Sequence, residues 1–373
     1  VGYNSELMNL RVPLLHDQPD LGLIELSYEI WSEGATGEPL IFLCGGPGER
    51  AIDLRPHLLW TQIAKKRPII LLNQRGTHLV PKQLEIHPDM FLDRNIALQV
   101  LSNQASVTQP AAYTPWQSAL DIGLLADHLG VKKLDIVAHS YGTHLAMAAM
   151  KAIPDRIGRV AMLGFEGPDQ TFKFGQPFDL ALARFPNGLE RLAEIESRQW
   201  EVELDGLKLK IGSFGIRWML ASWMGLEARM KRLPDFLDQP SEAMPRAISG
   251  FIKMLKRRSP VFYLNDAASS ASPERWEMLR ADSSPWAEAV NFPFPEIGAA
   301  YGVEPLPDTF RVAPEFSGDV LVLTGEYDAF TPTSNFLQAG GRLTAATHKE
   351  LPGAYHDTLL LGVESAAILE SWL

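Results

Sequence analysis

The segment "DIVAHSYGTHLAMAA" constrains this chain more than any other stretch. A β-branched pair, Ile136 and Val137, runs through Ala138 and His139 to Ser140, and a helix of small and apolar residues follows with no spacer. A strand that turns directly into a helix crowds two backbones, so the positions two residues either side of the corner must be small. Ala138 and Gly142 meet that need, with alanine where glycine is more usual. Ser140 then sits in a strained turn with its hydroxyl presented at a strand end, as a serine nucleophile requires. An ordinary strand-to-helix turn could carry the same five residues, so the rest of the chain has to decide.

The surrounding sequence alternates two grammars. "PLIFLCGGPGE" and "RPIILLNQRGT" are short apolar runs separated by a helical "HLLWTQIAKK", and residues 114–165 read helix, strand, turn, helix, strand. Continuous apolar runs mark strands buried on both faces, and their alternation with helices marks a parallel sheet with right-handed crossovers. The opening "LRVPLLHDQPDLGLIELSYEIWSE" predicts two strands around a turn at an antiparallel edge, because Ile24, Leu26, Tyr28 and Ile30 alternate with polar neighbours. The fold class is therefore α/β, a mostly parallel central sheet flanked by helices. Residues 166–316 break the rhythm: they are rich in Trp, Met, Arg, Glu and Pro with helical periodicity, and read as a helical lid. Residues 1–165 and 317–373 form the core on either side of it. Trp200, Trp218, Trp223, Trp276 and Trp286 are expected to pack the lid, with one or two lining an apolar pocket. Strand grammar returns at "SGDVLVLTGEYDAFTP", and a C-terminal helix is expected from Leu359. Residues 77–113 have weak periodicity and are expected to form a long surface excursion. A length of 373 residues suits one large domain with an insertion.

If Ser140 is a nucleophile, an acid and then a histidine should follow, each after a late strand. Asp328 follows "DVLVLTG", and His356 follows "KELPGAYH". Glu326 is the competing acid, but it adjoins Gly325 in a loop, whereas Asp328 lies where the chain turns toward the next helix. His139 is too close to Ser140 in sequence to swing behind it, and His144 lies on the following helix, which leaves His356 as the base. Imidazole, with an ordinary pKa near ~6.5, can take and return the serine proton, while Asp328 fixes its tautomer. The tetrahedral oxyanion needs backbone N–H donors. Tyr141 supplies one, and the glycine-rich "CGGPG" loop supplies the other through Gly46, with Gly45, Pro47 and Gly48 shaping the approach. That loop lacks the Gly-Lys-Ser/Thr ending of a phosphate loop.

Composition excludes other classes. A net charge of -11 argues against a nucleic-acid surface. The only dense basic run, Lys253 to Arg258, fits the solvated face of a helix. One cysteine, Cys44, allows neither an internal disulfide nor a cysteine zinc site, and no His-Glu-x-x-His pattern is present, so neither a metal nor another cofactor is expected. No membrane span is expected. The opening residues lack signal-peptide design, which makes the cytoplasm the default compartment, with a previously removed leader as the alternative. The sequence carries no reading of oligomeric state.

Together, "CGGPG", "NQRGT", "AHSYGT", "GEYDAFTP" and "AYHD" resemble the proline iminopeptidase family of α/β-hydrolases. That family's loop reads His-Gly-Gly-Pro-Gly, so Gly45 to Gly48 carry over while Cys44 replaces the histidine; its Asp-Gln-Arg-Gly maps on Asn73 to Gly76 with Asn73 as a departure. The resemblance implies the α/β-hydrolase fold and the Ser140, Asp328 and His356 triad. It also implies that Arg75 braces the oxyanion loop. "RVPLLHDQP" and "EGPDQTF" look like the branch with larger lids.

The activity implied is removal of N-terminal residues from short peptides, with lid carboxylates gripping the free α-ammonium. Glu166, just past a strand end, is the best-placed of Glu166, Asp169, Glu201 and Glu277 for that grip. The alternatives keep the triad but cleave small esters, amides or a lactone, or retain the fold as a non-catalytic binding module. Haloalkane-type chemistry is disfavoured because it needs a carboxylate where this chain has Ser140.

Overall fold

In the computed structural model, residues 6–57, 60–79, 82–339, 343 and 346–373 are described; Leu58 and Leu59 of the expected first helix lie outside them. Eight strands form the main sheet: β1 (Leu7–Pro13), β2 (Leu23–Trp31), β3 (Leu40–Leu43), β4 (Ile69–Leu72), β5 (Leu134–His139), β6 (Ile157–Leu163), β9 (Val320–Gly325) and β10 (Ala346–Leu351). Two further strands, β7 (Trp200–Leu204) and β8 (Leu207–Ile211), form a separate two-stranded sheet. The main sheet runs in the order β1-β2-β4-β3-β5-β6-β9-β10. β1 and β2 are antiparallel and β2 meets β4 antiparallel, while every other neighbour is parallel, so the expected edge and parallel core are both present.

The apolar runs of β3, β4 and β5 serve two cores because side chains alternate across a strand. Ile41, Leu43, Ile70, Leu72, Ile136 and Ala138 face one side and pack under the helices Pro115–His128 and Tyr141–Ala152. Leu40, Phe42, Ile69, Leu71 and Val137 face the other, toward Ala51, Trp60, Leu359 and Leu369. Covering a sheet on both faces explains why these strands carry no polar alternation.

Between β6 and β9 lies the insertion, mostly helical, with its own apolar core that includes Trp218, Trp223 and Trp286, with Trp200 and Trp276 packed at its edge. Three expectations need correction. The insertion is not purely helical: "WEVELDGLKLKI" forms the β7–β8 hairpin, turning at Asp205 and Gly206 with φ of 52° and 79°. That Asp-Gly pair between alternating residues is a strong hairpin signal, and it suits a turn with both φ positive. Residues 77–113, of which Val80 and Pro81 lie outside the described residues, do not run as a surface excursion. Met90 and Phe91 are fully buried in the insertion's core, and the helix Arg94–Ser102 packs there through Ala97 and Leu101. The C-terminal helix is two helices, His356–Leu361 and Val363–Trp372. Among the described residues no helix is long and apolar enough to cross a membrane.

Candidate active site

The corner after β5 has the strain expected of it: Ser140 has φ 57° and ψ -127°. Backbone geometry of this kind costs about 1–3 kcal/mol and persists only where packing enforces it. Here the enforcement is steric. A Cβ on Gly142 would lie 2.0 Å from the Leu43 carbonyl oxygen, so β3 and the helix Tyr141–Ala152 touch backbone to backbone. The Ser140 N–H donates to the Leu163 carbonyl at 2.9 Å, which ties the corner to β6.

His356 opens the helix Val363–Trp372's predecessor, His356–Leu361, and its Nδ1 lies 2.7 Å from Asp328 Oδ2. The carboxylate is well held: Oδ1 accepts from the N–H groups of Phe330 (2.8 Å) and Thr331 (2.9 Å), and Oδ2 accepts from Thr331 Oγ1 at 2.5 Å. Burial alone would raise the Asp328 pKa, but the charge of His356 and these hydrogen bonds outweigh it and leave it lowered. Burial likewise opposes protonation of His356, and the Asp328 charge and hydrogen bond overcome it, so its pKa is raised. Glu326, the rival acid, instead accepts from the Gly353 N–H at the surface. His144 is buried and held by the Gly167 carbonyl and the Ser269 hydroxyl.

Ser140 and His356 line one cavity of ≈ 570 Å³ with Gly45 and Gly46. A Cβ on Gly45 would fall 2.9 Å from Ser140 Cβ, so the glycine loop lies directly against the serine; Gly46 has φ 112° and Gly48 φ 92°. Tyr141 begins its helix, where an N–H has no partner within the helix and is free for an oxyanion. The arrangement can therefore hold a proton acceptor, a hydroxyl and backbone donors around one acyl carbon.

Arg75 does not brace the oxyanion loop. It is fully buried and grips Asp121 with two hydrogen bonds of 2.7 and 2.6 Å, then donates to the carbonyls of Leu14 and Ala112. It thus pins the N-terminal hairpin to the helix Pro115–His128. Its neighbour Gln74 touches the loop instead, with Nε2 donating to the Cys44 carbonyl at 3.2 Å.

Glu166 reaches the cavity wall, buried, with Oε1 lacking any hydrogen-bond partner among the described residues. Its backbone N–H is fixed by Thr143 Oγ1, which also donates to the Ser140 carbonyl, so it stands close to Ser140. Asp169 caps Ser272 instead, and Glu201 and Glu277 are exposed. Sequence reasoning missed Asp266, which joins Glu166 in the cavity from the helix Pro260–Ser269. Burial and then the charge of Glu166 raise its pKa well above the ordinary carboxylate value. Lys173 and Arg258 also line the cavity, and Arg258 departs from the solvated face expected of it. Aromatic side chains, including Phe172, Phe262, Phe294 and Phe330, make up much of the remaining wall.

The fold and this cavity define a class. The sequence matches the alpha/beta hydrolase fold family over residues 38–363, and the chain belongs to that family of hydrolases. Among solved structures it is similar to a proline iminopeptidase of Mycobacterium smegmatis, at 15% identity and TM-score 0.50, covering 98% of this chain and 97% of that one. It is also similar to a thermophilic esterase of Thermogutta terrifontis, at 16% identity and TM-score 0.49, over 98% and 97%. At such identities the likeness is one of fold. No curated protein matches the chain.

Proposed function

We propose that the chain is a serine aminopeptidase that releases N-terminal residues from short peptides through an acyl-enzyme. Supporting this most directly is the pair Glu166 and Asp266, two buried carboxyl groups that face the cavity of Ser140, one with an unpartnered oxygen. Buried carboxylates without donors are costly, and a substrate ammonium supplies both the charge and the hydrogen bonds they lack. The helical insertion would act as the lid that brings Asp266 over the serine.

In this mechanism His356 Nε2 takes the proton of Ser140 as Oγ attacks the scissile carbonyl. The oxyanion is met by the N–H groups of Gly46 and Tyr141, and Asp328 stabilises the imidazolium. His356 then protonates the leaving amine, the C–N bond breaks, and water hydrolyses the Ser140 ester with His356 as base again. The decisive comparison is an aminoacyl nitroanilide against its N-acetyl derivative in the wild type and in Glu166→Gln. The reading expects the free amine to be preferred by at least about tenfold and the variant to erase most of that preference, as loss of one charge-assisted hydrogen bond would. Equal cleavage of both substrates by the wild type would favour an esterase or amidase acting on apolar acyl groups in the aromatic cavity.

A further inference from the structure

Lys173 and Arg258 line the same cavity as Glu166 and Asp266, and they are not paired with them. Among the described residues, neither Lys173 nor Arg258 has a carboxylate within the 4.0 Å of an ion pair, although both act electrostatically on Asp266. Each base is held back by other contacts. Lys173 Nζ donates to the Thr171 carbonyl at 3.0 Å, and its backbone is clamped from both sides by the Asn291 amide at 2.8 Å. The Arg258 guanidinium lies 4.1 Å over the ring of Phe262. Phe262 and Asp266 stand four residues apart on the helix Pro260–Ser269 and therefore share a face. Arg258 thus packs against the turn of this helix that precedes the one carrying Asp266.

Carboxyl groups and cations that share a cavity without closing on each other leave room for a ligand that bridges them. We propose that the cavity recognises zwitterionic dipeptides, the α-ammonium at Glu166 and Asp266 and the C-terminal carboxylate at Arg258 and Lys173. This rests on the aminopeptidase reading above. Two extended residues span roughly 7 Å, enough to reach from the turn that carries Asp266 to the preceding turn, against which Arg258 packs. A longer peptide or a C-terminal amide puts a neutral group opposite Arg258 and Lys173 and leaves those cations without an anion. A site built to bind a group rejects the analogue that lacks it.

The test measures kcat and KM for phenylalanyl-alanine and for phenylalanyl-alanine amide, both with free N-termini, beside alanyl nitroanilide and a nitrophenyl ester. The free acid should exceed the amide in kcat/KM by about tenfold in the wild type, mostly through KM, as for one lost charged hydrogen bond. In Lys173→Met and Arg258→Met that ratio should fall toward one; taking the ratio cancels any influence of Lys173 on His356. A wild-type ratio of one or less overturns the proposal and needs no variant, as does a ratio unchanged in both folded variants. Either result leaves the aminopeptidase reading standing, because the amide is still cleaved. Cleavage of the ester alone would remove that reading, and this proposal with it.

Discussion

The ring of His139 lies 4.7 Å from that of His356, and its Nε2–H donates to the His356 carbonyl at 3.0 Å. Two imidazoles packed so closely cannot both carry charge, and the structure decides between them. Burial, and then the neighbouring His356, pushes the His139 pKa down to about 3, whereas Asp328 lifts that of His356 above the ordinary 6.5.

A general base must be neutral to accept the serine proton, so kcat/KM should rise with pH through a midpoint above 6.5. His139 stays neutral across that range and adds no second limb. In Asp328→Asn the main raising influence is gone and burial remains, so the midpoint should drop below the wild-type value while the rate falls by about 10⁴. A pH profile of both proteins checks this. A wild-type midpoint below 6.5 would contradict the assignment.

Ser140→Ala should lose several orders of magnitude in turnover and keep its fold, since nucleophile and base act as a unit. Ser140→Gly should also be inactive but more stable by about 1 kcal/mol, the ~1–3 kcal/mol of relieved strain less the ~0.5–1 kcal/mol that glycine loses in entropy. Urea unfolding of both variants measures the difference, and equal or lower stability of the glycine variant would argue against stored strain at the elbow.

Arg75→Met should destabilise the protein by about 3–5 kcal/mol, because it leaves the Asp121 carboxylate buried and without its main cation. Thermal melting reads the loss. If Arg75 braced the oxyanion loop instead, activity would fall with little change in melting temperature.

Why some of this was legible in the sequence and some was not follows from where the information lies. Ser140 and Asp328 each follow an apolar strand with a turn and His356 follows the late edge strand β10, so local pattern and chain order suffice to nominate them. The β7–β8 hairpin was equally local, signalled by Asp205-Gly206, but a helical reading of the whole insertion masked it. Asp266 carries no local mark. In "FYLNDAASS" it resembles a polar residue on a helix, and only packing brings it to Glu166 from a hundred positions away. Arg258 sat in a basic run whose other members, Lys253, Lys256 and Arg257, are indeed exposed. Arg75 adjoins a residue that does touch the loop, but it lies in the turn after β4, where strand alternation does not set side-chain direction.

Because the Asp266 pKa is raised in the folded state, folding takes up a proton there as pH rises past the ordinary carboxylate value of 3.8. Stability contributed by this group is complete below 3.8 and declines as pH climbs toward the raised pKa. Asp266→Asn removes that decline, so the variant should melt at a higher temperature than the wild type at neutral pH and show a flatter dependence on pH. A wild type that outlasts the variant at neutral pH would mean that Asp266 has a compensating cation in the folded protein.

The most direct measurement is the hydrolysis of prolyl and alanyl nitroanilides beside a short-chain nitrophenyl ester, with the wild type and Ser140→Ala. The account predicts Ser140-dependent cleavage of the free-amine anilides. Cleavage of the ester alone, with the anilides untouched, would contradict the aminopeptidase and return Glu166 and Asp266 to a structural role.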